Sequence, residues 1–451
     1  AWVTWDHPAM PWDATELWVA DLDAGGGPLG GASRVGAAQL AGFSVDQPLW
    51  TGDDTLVFVA DVGGWWQPWR WEAGVPPQPI NALEAEFQGP AWGLGQHTVV
   101  TIGPDLLACV WRSEGVDHVG TLGLDGDLRE ITQPCVAVSS LCAHGGGVAW
   151  LGQTPATPGG VWWCPQLSSS ARVVQVSGTR PSLRGEDVSV AEPVTVPSAH
   201  GRPVHANFYG PALSGWEGPD GDAPPLIVHC HGGPTSSADA GFDPMVQMLT
   251  TRGYAVATVN FAGSTGYGRA YRQALDGLWG VADVDDCIEV ARWLAETGRA
   301  DGARMAIRGG SAGGLTALGA LIRSDRFAAA VSWYGVTDLM GLVATTHDFE
   351  SRYMDRLVGP LPESASLYDE RSPLNHVAEM TGAVLLLQGE DDPVVPPDQT
   401  RRMAAALTER GVRCEVRYFE GESHGFRRAD TLVACFEAEL AFYDEVLLGA
   451  D

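Results

Sequence analysis

The stretch Gly309-Gly-Ser-Ala-Gly313 decides how the second half of the chain folds. It follows Arg304–Ile307, an apolar run that predicts a β-strand, and it precedes Leu315–Leu321, whose apolar spacing is typical of a helix. A G-x-S-x-G sequence between a strand and a helix predicts a nucleophile elbow, in which small flanking residues permit a strained turn that lifts the serine above the sheet. We therefore predict that Ser311 is a nucleophile.

From about residue 190 onward, the chain alternates apolar runs with helix-like segments. Continuous apolar strands that are separated by helices are typical of a mostly parallel sheet covered on both faces. The predicted fold class is therefore α/β, and residues 190–451 are predicted to form an α/β-hydrolase catalytic domain with a mostly parallel, doubly wound sheet. Its predicted strands are Leu226–Cys230, Ala255–Val259, Arg304–Ile307, Ala328–Ser332, Ala383–Leu387 and Glu415–Tyr418, and Val281–Glu296 is a predicted helix.

The first 185 residues have a different pattern. Short apolar bursts such as Thr55–Ala60, Val99–Ile102 and Val148–Leu151 are separated by Gly-Gly and Asp-Gly turns, which predicts all-β structure. A loose repeat of roughly 40 to 50 residues gives about four units, and this length is typical of propeller blades. We predict a β-propeller-like domain over residues 1–185, with a β-sandwich as the alternative, followed by a linker over Thr179–Val196.

A nucleophilic serine needs a base and a group that orients the base, and in this fold they follow the serine in the order Asp, His. The loop after the strand Ala383–Leu387 offers Asp391 and Asp392, and His424 lies on the loop after the strand that ends near Tyr418. Both loops are at the carboxyl ends of strands, where ligands bind in open α/β sheets. His424 is the predicted base, and the residues alone leave either aspartate as its partner.

The sequence His231-Gly-Gly-Pro234 follows a predicted strand, at the place where this fold puts part of its oxyanion hole. We predict that the backbone amides of Gly233 and Ala312 donate to the oxyanion. The side chains of His229 and His231 have the alternate spacing that two metal ligands could have, but no third ligand accompanies them. We therefore predict neither a metal nor an organic cofactor.

The composition excludes several other functions. The 451 residues carry a formal net charge of −29, from 56 acidic and 27 basic side chains, so nucleic acid and anionic membrane surfaces are poor partners. Every basic residue is arginine, and the absence of lysine excludes a P-loop ATPase, a Schiff-base enzyme and a Ser-Lys hydrolase. Eight cysteines without a C-x-x-C pair, and no apolar run of about 18 residues, predict a cytoplasmic protein. Because the chain begins at Ala1 rather than methionine, we expect further N-terminal sequence.

Together these motifs resemble the prolyl oligopeptidase family of serine peptidases, in particular its acylaminoacyl-peptidase and dipeptidyl-peptidase-like bacterial members. The resemblance implies an eight-stranded hydrolase domain, a seven-bladed propeller that admits only short peptides, and Asp392 as the third member of the catalytic triad. About four repeat units are fewer than such a propeller has, which agrees with a missing N-terminal part. Homo-oligomers through paired hydrolase domains are common in the family. The matching stretches are His231–Pro234, Asn260–Gly268, Leu278–Asp283, Gly309–Gly314 and Glu422–Phe426.

Two positions depart from the family's pattern and weaken the expected grip on a peptide backbone. Family members usually carry arginine or asparagine two positions after the triad aspartate, where Val394 stands here, and the segment that usually reads Asn-Tyr-Arg-Gly is Asn260-Phe-Ala-Gly263. We predict a serine peptidase of oligopeptidase or aminopeptidase type, which hydrolyses short peptides through an acyl-enzyme. The alternatives are a small-molecule carboxylesterase or amidase on the same fold and a non-catalytic module whose propeller binds a partner.

Overall fold

In the computed structural model, strands and helices follow the apolar patterns of the sequence. The structure describes residues 1–52, 54–167, 172–179, 183–198, 201–219 and 221–449. The chain divides into two compact units. Unit 1 comprises Ala1–Ser182, Asp239–Phe242 and Thr265–Arg272, and unit 2 comprises Leu183–Ala238, Asp243–Ser264 and Gln273–Asp451. The predicted linker includes Arg180–Ser182, which lie outside the described residues.

Within its described residues, unit 1 has four antiparallel sheets. The first sheet has the order β1-β2-β3, and the others have the orders β4-β5-β6-β7, β11-β10-β9-β8 and β12-β13-β14-β15. The strands are β1 Trp2–Thr4, β2 Glu16–Leu22, β3 Pro28–Arg34, β4 Val45–Thr51, β5 Thr55–Ala60, β6 Gln67–Trp71, β7 Gln78–Pro79, β8 Val99–Gly103, β9 Leu106–Ser113, β10 Val116–Gly123, β11 Leu128–Glu130, β12 Ala137–His144, β13 Gly147–Gln153, β14 Gly160–Cys164 and β15 Val174–Gly178.

Each sheet of unit 1 is a meander, in which every strand pairs with the next strand along the chain. The first strand of each sheet contacts the first strand of the next sheet, so β1 meets β4, β4 meets β8 and β8 meets β12. This is the blade arrangement of a β-propeller, and it confirms the predicted propeller-like domain over the sandwich alternative. The predicted strand Thr55–Ala60 is β5 at the same bounds, and the two other predicted runs lie within β8 and β13.

Unit 2 is built around one eight-stranded sheet with the order β16-β17-β19-β18-β20-β21-β22-β23. Its strands are β16 Glu192–Pro197, β17 Pro203–Tyr209, β18 Leu226–Cys230, β19 Ala255–Asn260, β20 Met305–Gly310, β21 Ala329–Trp333, β22 Ala383–Gly389 and β23 Cys414–Phe419. The α-helices are α1 Pro244–Thr250, α2 Arg269–Arg272 (part of unit 1), α3 Ala282–Glu296, α4 Ala312–Arg323, α5 Leu339–Thr345, α6 Tyr353–Leu357, α7 Ala365–Arg371, α8 Pro397–Glu409 and α9 Ala429–Leu448. Short 3₁₀ helices cover Gly185–Asp187, Gln273–Leu275, Asp348–Glu350 and Pro373–Glu379.

The sheet of unit 2 is parallel from β19 to β23, and β16 and β17 are antiparallel to their neighbours. Its central strands are buried over their length, because helices cover both faces. One face packs on α3, α4 and α8 through residues such as Val290, Leu318 and Met403, and the other packs on α1 and α9 through residues such as Leu249 and Phe442. The predicted α/β-hydrolase fold with a mostly parallel, doubly wound sheet is therefore confirmed.

One predicted boundary is wrong. The sequence assigns Glu192–Val196 to the linker, but these residues belong to β16, which pairs antiparallel with β17. Pro193 and Pro197 make the segment look like a loop, because proline cannot donate to a sheet. Proline is nevertheless tolerated here since β16 is an edge strand, where one side of the backbone has no partner strand among the described residues.

A buried cluster of charges stabilises unit 1. The carboxylate of Asp61 accepts hydrogen bonds from Arg269 Nη1 at 2.6 Å and Arg272 Nη2 at 2.5 Å, and it also accepts the amide of Ser44. The guanidinium of Arg272 lies over the ring of Trp66 at 3.9 Å. Glu86 accepts the amides of Trp66 and Gly268, and burial raises its pKa to about 7 although Arg272 opposes this shift. All these residues belong to unit 1. The buried ion pairs of Arg269 and Arg272 therefore attach the segment Thr265–Arg272 to the rest of this unit.

We predict that Asp61→Ala lowers the free energy of unfolding of unit 1 by about 3 to 5 kcal/mol, because it removes the carboxylate that pairs with both Arg269 and Arg272. Urea unfolding followed by tryptophan fluorescence measures this loss, since most of the tryptophans lie in unit 1. Asp127→Ala is the matched control: it removes an exposed ion pair with Arg129 and should leave the unfolding midpoint unchanged. Equal changes in the free energy of unfolding for the two substitutions would contradict the stabilising role of Asp61.

Candidate active site

Ser311 lies in the turn between β20 and α4, with φ 54° and ψ −121°. A non-glycine residue with positive φ is strained, and glycines on either side make the turn possible. A β-carbon at position 309 would lie 2.1 Å from the carbonyl oxygen of Gly313, and one at position 313 would lie 2.3 Å from that of Cys230. In this turn β18, β20 and α4 approach so closely that only glycine fits at positions 309 and 313. Ser311 is thus held at the carboxyl end of the sheet.

The structure brings Ser311, His424 and Asp392 into one hydrogen-bonded chain. His424 Nε2 lies 2.9 Å from Ser311 Oγ, and His424 Nδ1 lies 2.8 Å from Asp392 Oδ2. The neighbouring Asp391 is exposed, and its backbone amide donates to Glu422 O. Of the two aspartates that the sequence offers, it is therefore Asp392 whose carboxylate contacts the histidine.

Neutral donors hold the carboxylate of Asp392. Its Oδ1 accepts the backbone amides of Val394 and Val395, each at 2.9 Å, and its Oδ2 accepts Gln388 Nε2 at 3.3 Å. The Asp392 side chain is fully buried, so these donors replace the water that an aspartate loses on burial. The backbone amide of Val394 therefore helps to hold Asp392, and this role does not depend on the Val394 side chain. Gln388 was not predicted from the sequence, because a polar residue at the end of a buried strand gives no specific signal.

Tyr334 is a second contact of His424 that the sequence did not reveal. It follows β21 with φ 40°, and its ring meets the imidazole edge-on at 4.8 Å between centroids. The same ring packs on Phe426, two residues beyond the histidine, at 5.1 Å. Since backbone strain of this kind persists only when the surroundings enforce it, the tyrosine marks the site as a tightly constrained region.

The two predicted oxyanion donors both lie near Ser311: Ala312 is the next residue in the chain, and the loop of Gly233 is close to the serine in space. Ala312 is the first residue of α4, so its amide belongs to the helix N-terminus, which favours negative charge. A β-carbon at Gly232 would lie 3.6 Å from Ser311 Cβ, which places the loop of Gly233 beside the serine. In the part of the chain that the structure describes, neither the Gly233 nor the Ala312 amide donates to another residue.

His231 secures the loop that contains Gly233. Its Nδ1 lies 2.8 Å from Gly232 O, its Nε2 lies 2.7 Å from Ser264 Oγ, and its ring stacks on Phe261 at 4.2 Å. Burial lowers its pKa to about 4, although the hydrogen bond to Gly232 opposes this shift. A neutral ring with the proton on Nδ1 donates to Gly232 and accepts from Ser264.

His229 lies in β18, two residues before His231, and its Nδ1 accepts from Arg308 at 2.6 Å. Both histidines of the H-x-H spacing are thus bonded to protein groups. Among the described residues, no group of three or more histidine, cysteine, aspartate or glutamate side chains could hold a metal ion. Nor does any described helix have the length and apolar character that crossing a bilayer requires.

We predict that His231 makes stability depend on pH between 6.5 and 4. Because its folded pKa, about 4, lies below the ordinary 6.5, the unfolded chain binds more protons in this window, and the free energy of unfolding falls as the pH falls, by up to about 3 kcal/mol. Urea unfolding at pH 7 and pH 4.5 measures the loss. His231→Asn, which does not titrate, should lose correspondingly less stability over the same window, and an identical loss in both proteins would contradict the prediction.

On an eight-stranded α/β sheet, a serine at such a turn with a histidine and a buried carboxylate in line defines the α/β-hydrolase class of serine hydrolases. Residues 240–450 match the model of the prolyl oligopeptidase family. A puromycin-hydrolyzing peptidase of Mycobacterium tuberculosis is 40% identical and superposes with a TM-score of 0.94 over 99% of this chain and 67% of its own. A puromycin hydrolase of known structure is 38% identical, with a TM-score of 0.94 over 100% of this chain and 68% of its own.

The chain belongs to the prolyl oligopeptidase family, as its motifs led us to expect. Among curated relatives, dipeptidyl aminopeptidase BIII of Pseudoxanthomonas mexicana is 30% identical over 271 residues, which cover 58% of this chain and 39% of that protein. The chain therefore spans well under half the length of this relative.

Proposed function

We propose that the chain is a serine peptidase that cleaves amide bonds of short peptides and aminoacyl compounds, with residues 190–451 as its catalytic domain after a propeller-like domain over residues 1–185. The observation that carries the proposal is the hydrogen-bonded chain from Ser311 Oγ through His424 to Asp392. Each link is within hydrogen-bond distance, so a proton can pass from the serine to the imidazole without rearrangement.

The proposed reaction is acyl transfer to water. His424 Nε2 takes the proton of Ser311 as its Oγ attacks the carbonyl carbon, and Asp392 holds the imidazole in the required tautomer and stabilises its positive charge. The amides of Gly233 and Ala312 donate to the oxyanion, and the imidazolium then protonates the leaving amine. Water resolves the acyl-enzyme by the same route. The chemistry requires no metal and no organic cofactor.

The relatives narrow the substrate class. Two similar proteins of known structure hydrolyse puromycin, and dipeptidyl and acylamino-acid-releasing peptidases are among the curated relatives. Puromycin carries an amino acid joined by an amide bond to a nucleoside, so its cleavage is the removal of an amino acid from an amide. We therefore propose an aminopeptidase type of activity, on free aminoacyl amides and short peptides.

Val394 supports a second candidate, a carboxylesterase or amidase for small molecules. Its side chain is apolar at the position where family members usually carry a group that grips the substrate, and its backbone amide donates to Asp392. An enzyme with little hold on a peptide backbone would favour small activated esters.

The proposal predicts that Ser311→Ala lowers turnover by about a million-fold, because loss of the nucleophile removes the covalent route. The substrates to compare are puromycin, short chromogenic peptides with free and acetylated N-termini, and p-nitrophenyl esters. Puromycin and free peptides should be turned over, with the acetylated peptides slower.

Other outcomes decide between the alternatives. Ser311-dependent turnover of esters alone would favour the esterase, and no Ser311-dependent turnover together with no labelling of the protein by a fluorophosphonate would favour a non-catalytic module. His424→Ala serves as the control, since it keeps the serine but removes its base and should fall to a similar residual rate.

We also propose a cytoplasmic location and a short peptide as the partner, with neither nucleic acid nor membrane as a further one. All eight cysteines are unpaired thiols, which suits a reducing compartment, and the net charge of −29 opposes binding to anionic polymers and bilayers. Self-association into a homo-oligomer stays a prediction.

A further inference from the structure

Glu422 lies two residues before His424, in the loop between β23 and α9, and its side chain is only 2% exposed. Its carboxylate reaches across the loop to backbone amides on the far side of the histidine. Oε2 accepts from Arg427 at 3.0 Å, and Oε1 accepts from Arg428 at 3.0 Å. The two hydrogen bonds close the loop into a ring that contains His424.

The backbone of Glu422 also joins the loop of His424 to the loop of Asp392. Its carbonyl oxygen accepts the amide of Asp391 at 3.0 Å. The loops touch directly, because a β-carbon at Gly389 would lie 2.4 Å from the same oxygen. One residue is therefore bonded to both segments whose side chains meet at the 2.8 Å contact between the imidazole and the carboxylate.

Helix α9 gives this arrangement a rigid support. Arg427 and Arg428 directly precede the helix, whose buried face includes Cys435, Phe442 and Tyr443. The positive end of the helix favours a negative charge at Glu422. Burial opposes that charge, but the two amide donors and the hydroxyl of Thr431 outweigh it and hold the pKa of the carboxyl below its ordinary value. An ionised carboxylate only accepts hydrogen bonds, as both oxygens do here.

We propose that Glu422 is a positioning residue for His424. It fixes the loop on both sides of the histidine, so that Nε2 stays at Ser311 while Nδ1 stays at Asp392. Displacement of a catalytic group by about 1 Å can lower a rate by about a hundredfold, so a loop of this kind needs a fixed geometry. The inference rests on the proposed function of Ser311, Asp392 and His424, and it adds a residue that touches neither the substrate nor the serine.

The test is Glu422→Gln in the full chain, assayed with puromycin and with a chromogenic peptide. Glutamine has one acceptor oxygen, and its amide group would face a backbone N–H, so one of the two hydrogen bonds is lost. We expect kcat per active site to fall about 10- to 100-fold with KM changed less than about threefold. Active sites are counted by titration with a fluorophosphonate, which separates a slow enzyme from a partly unfolded one.

Asp243→Ala is the matched control for stability. Asp243 also accepts two backbone amides at a helix N-terminus, those of Met245 and Val246 at the start of α1, and among the described residues its carboxylate has no hydrogen bond to either loop of the site. We expect a comparable fall in Tm with an unchanged kcat per active site. If Glu422→Gln also lowers Tm or the number of active sites but leaves kcat per site unchanged, its role is structural only and the proposal is overturned.

Arg428→Pro removes one of the two contacts of Glu422 from the backbone side, in case Glu422→Gln does not fold. Arg428 has φ −78°, which proline can adopt, so Arg428→Pro deletes the amide that donates to Glu422 and leaves the carboxylate in place. Arg428→Ala keeps that amide and gives the reference rate. We expect Arg428→Pro to lower kcat per site about tenfold relative to Arg428→Ala, and equal rates would overturn the proposal. If Ser311→Ala retains turnover, the proposed function fails instead, whatever these variants do.

Discussion

The positive φ of Ser311 is the constraint on which the rest of unit 2 depends, because the turn that it creates fixes how closely β18, β20 and α4 must approach. Positions 309 and 313 have no room for a β-carbon, and one at Gly314 would lie 2.5 Å from the Cα of Gly335, beyond the end of β21. Only glycine satisfies all these contacts at once. The strain at the serine is maintained by the packed strands below it and by α4, which begins at the next residue.

The order of the strands explains why the side chains of the site come from distant parts of the sequence. Ser311 follows β20, while Asp392 and His424 follow β22 and β23, so β21 lies between the nucleophile and its partners. Tyr334 follows β21, and its ring fills this gap against His424. The loops of Asp392 and His424, together with the ring of Tyr334, thus span the width of β21 between Ser311 and its partners. Because neither loop is part of the sheet, other contacts must fix the position of each loop.

Much of this could be predicted from the sequence, because the informative residues are local. The predicted strand Leu226–Cys230 has the same bounds as β18, since a short, mostly apolar run between turns has few alternatives. The choice between Asp391 and Asp392 could not be made from spacing, because adjacent residues differ only in which way the loop turns them. The contacts that Glu422 and Tyr334 make with the site could not be predicted either, because they depend on the fold. The edge strand β16 was missed because its prolines are typical of loops.

The two units handle buried carboxylates in different ways, and the difference follows from what each carboxylate must do. Asp61 is paired with two arginines, which neutralise its charge and stabilise the fold. Asp392 has amide donors and, within the described residues, no arginine in contact. An arginine there would repel the imidazolium that forms when His424 takes the proton of the serine, and it would weaken the base. Neutral donors keep Asp392 in place without this repulsion, and its negative charge remains available to the histidine.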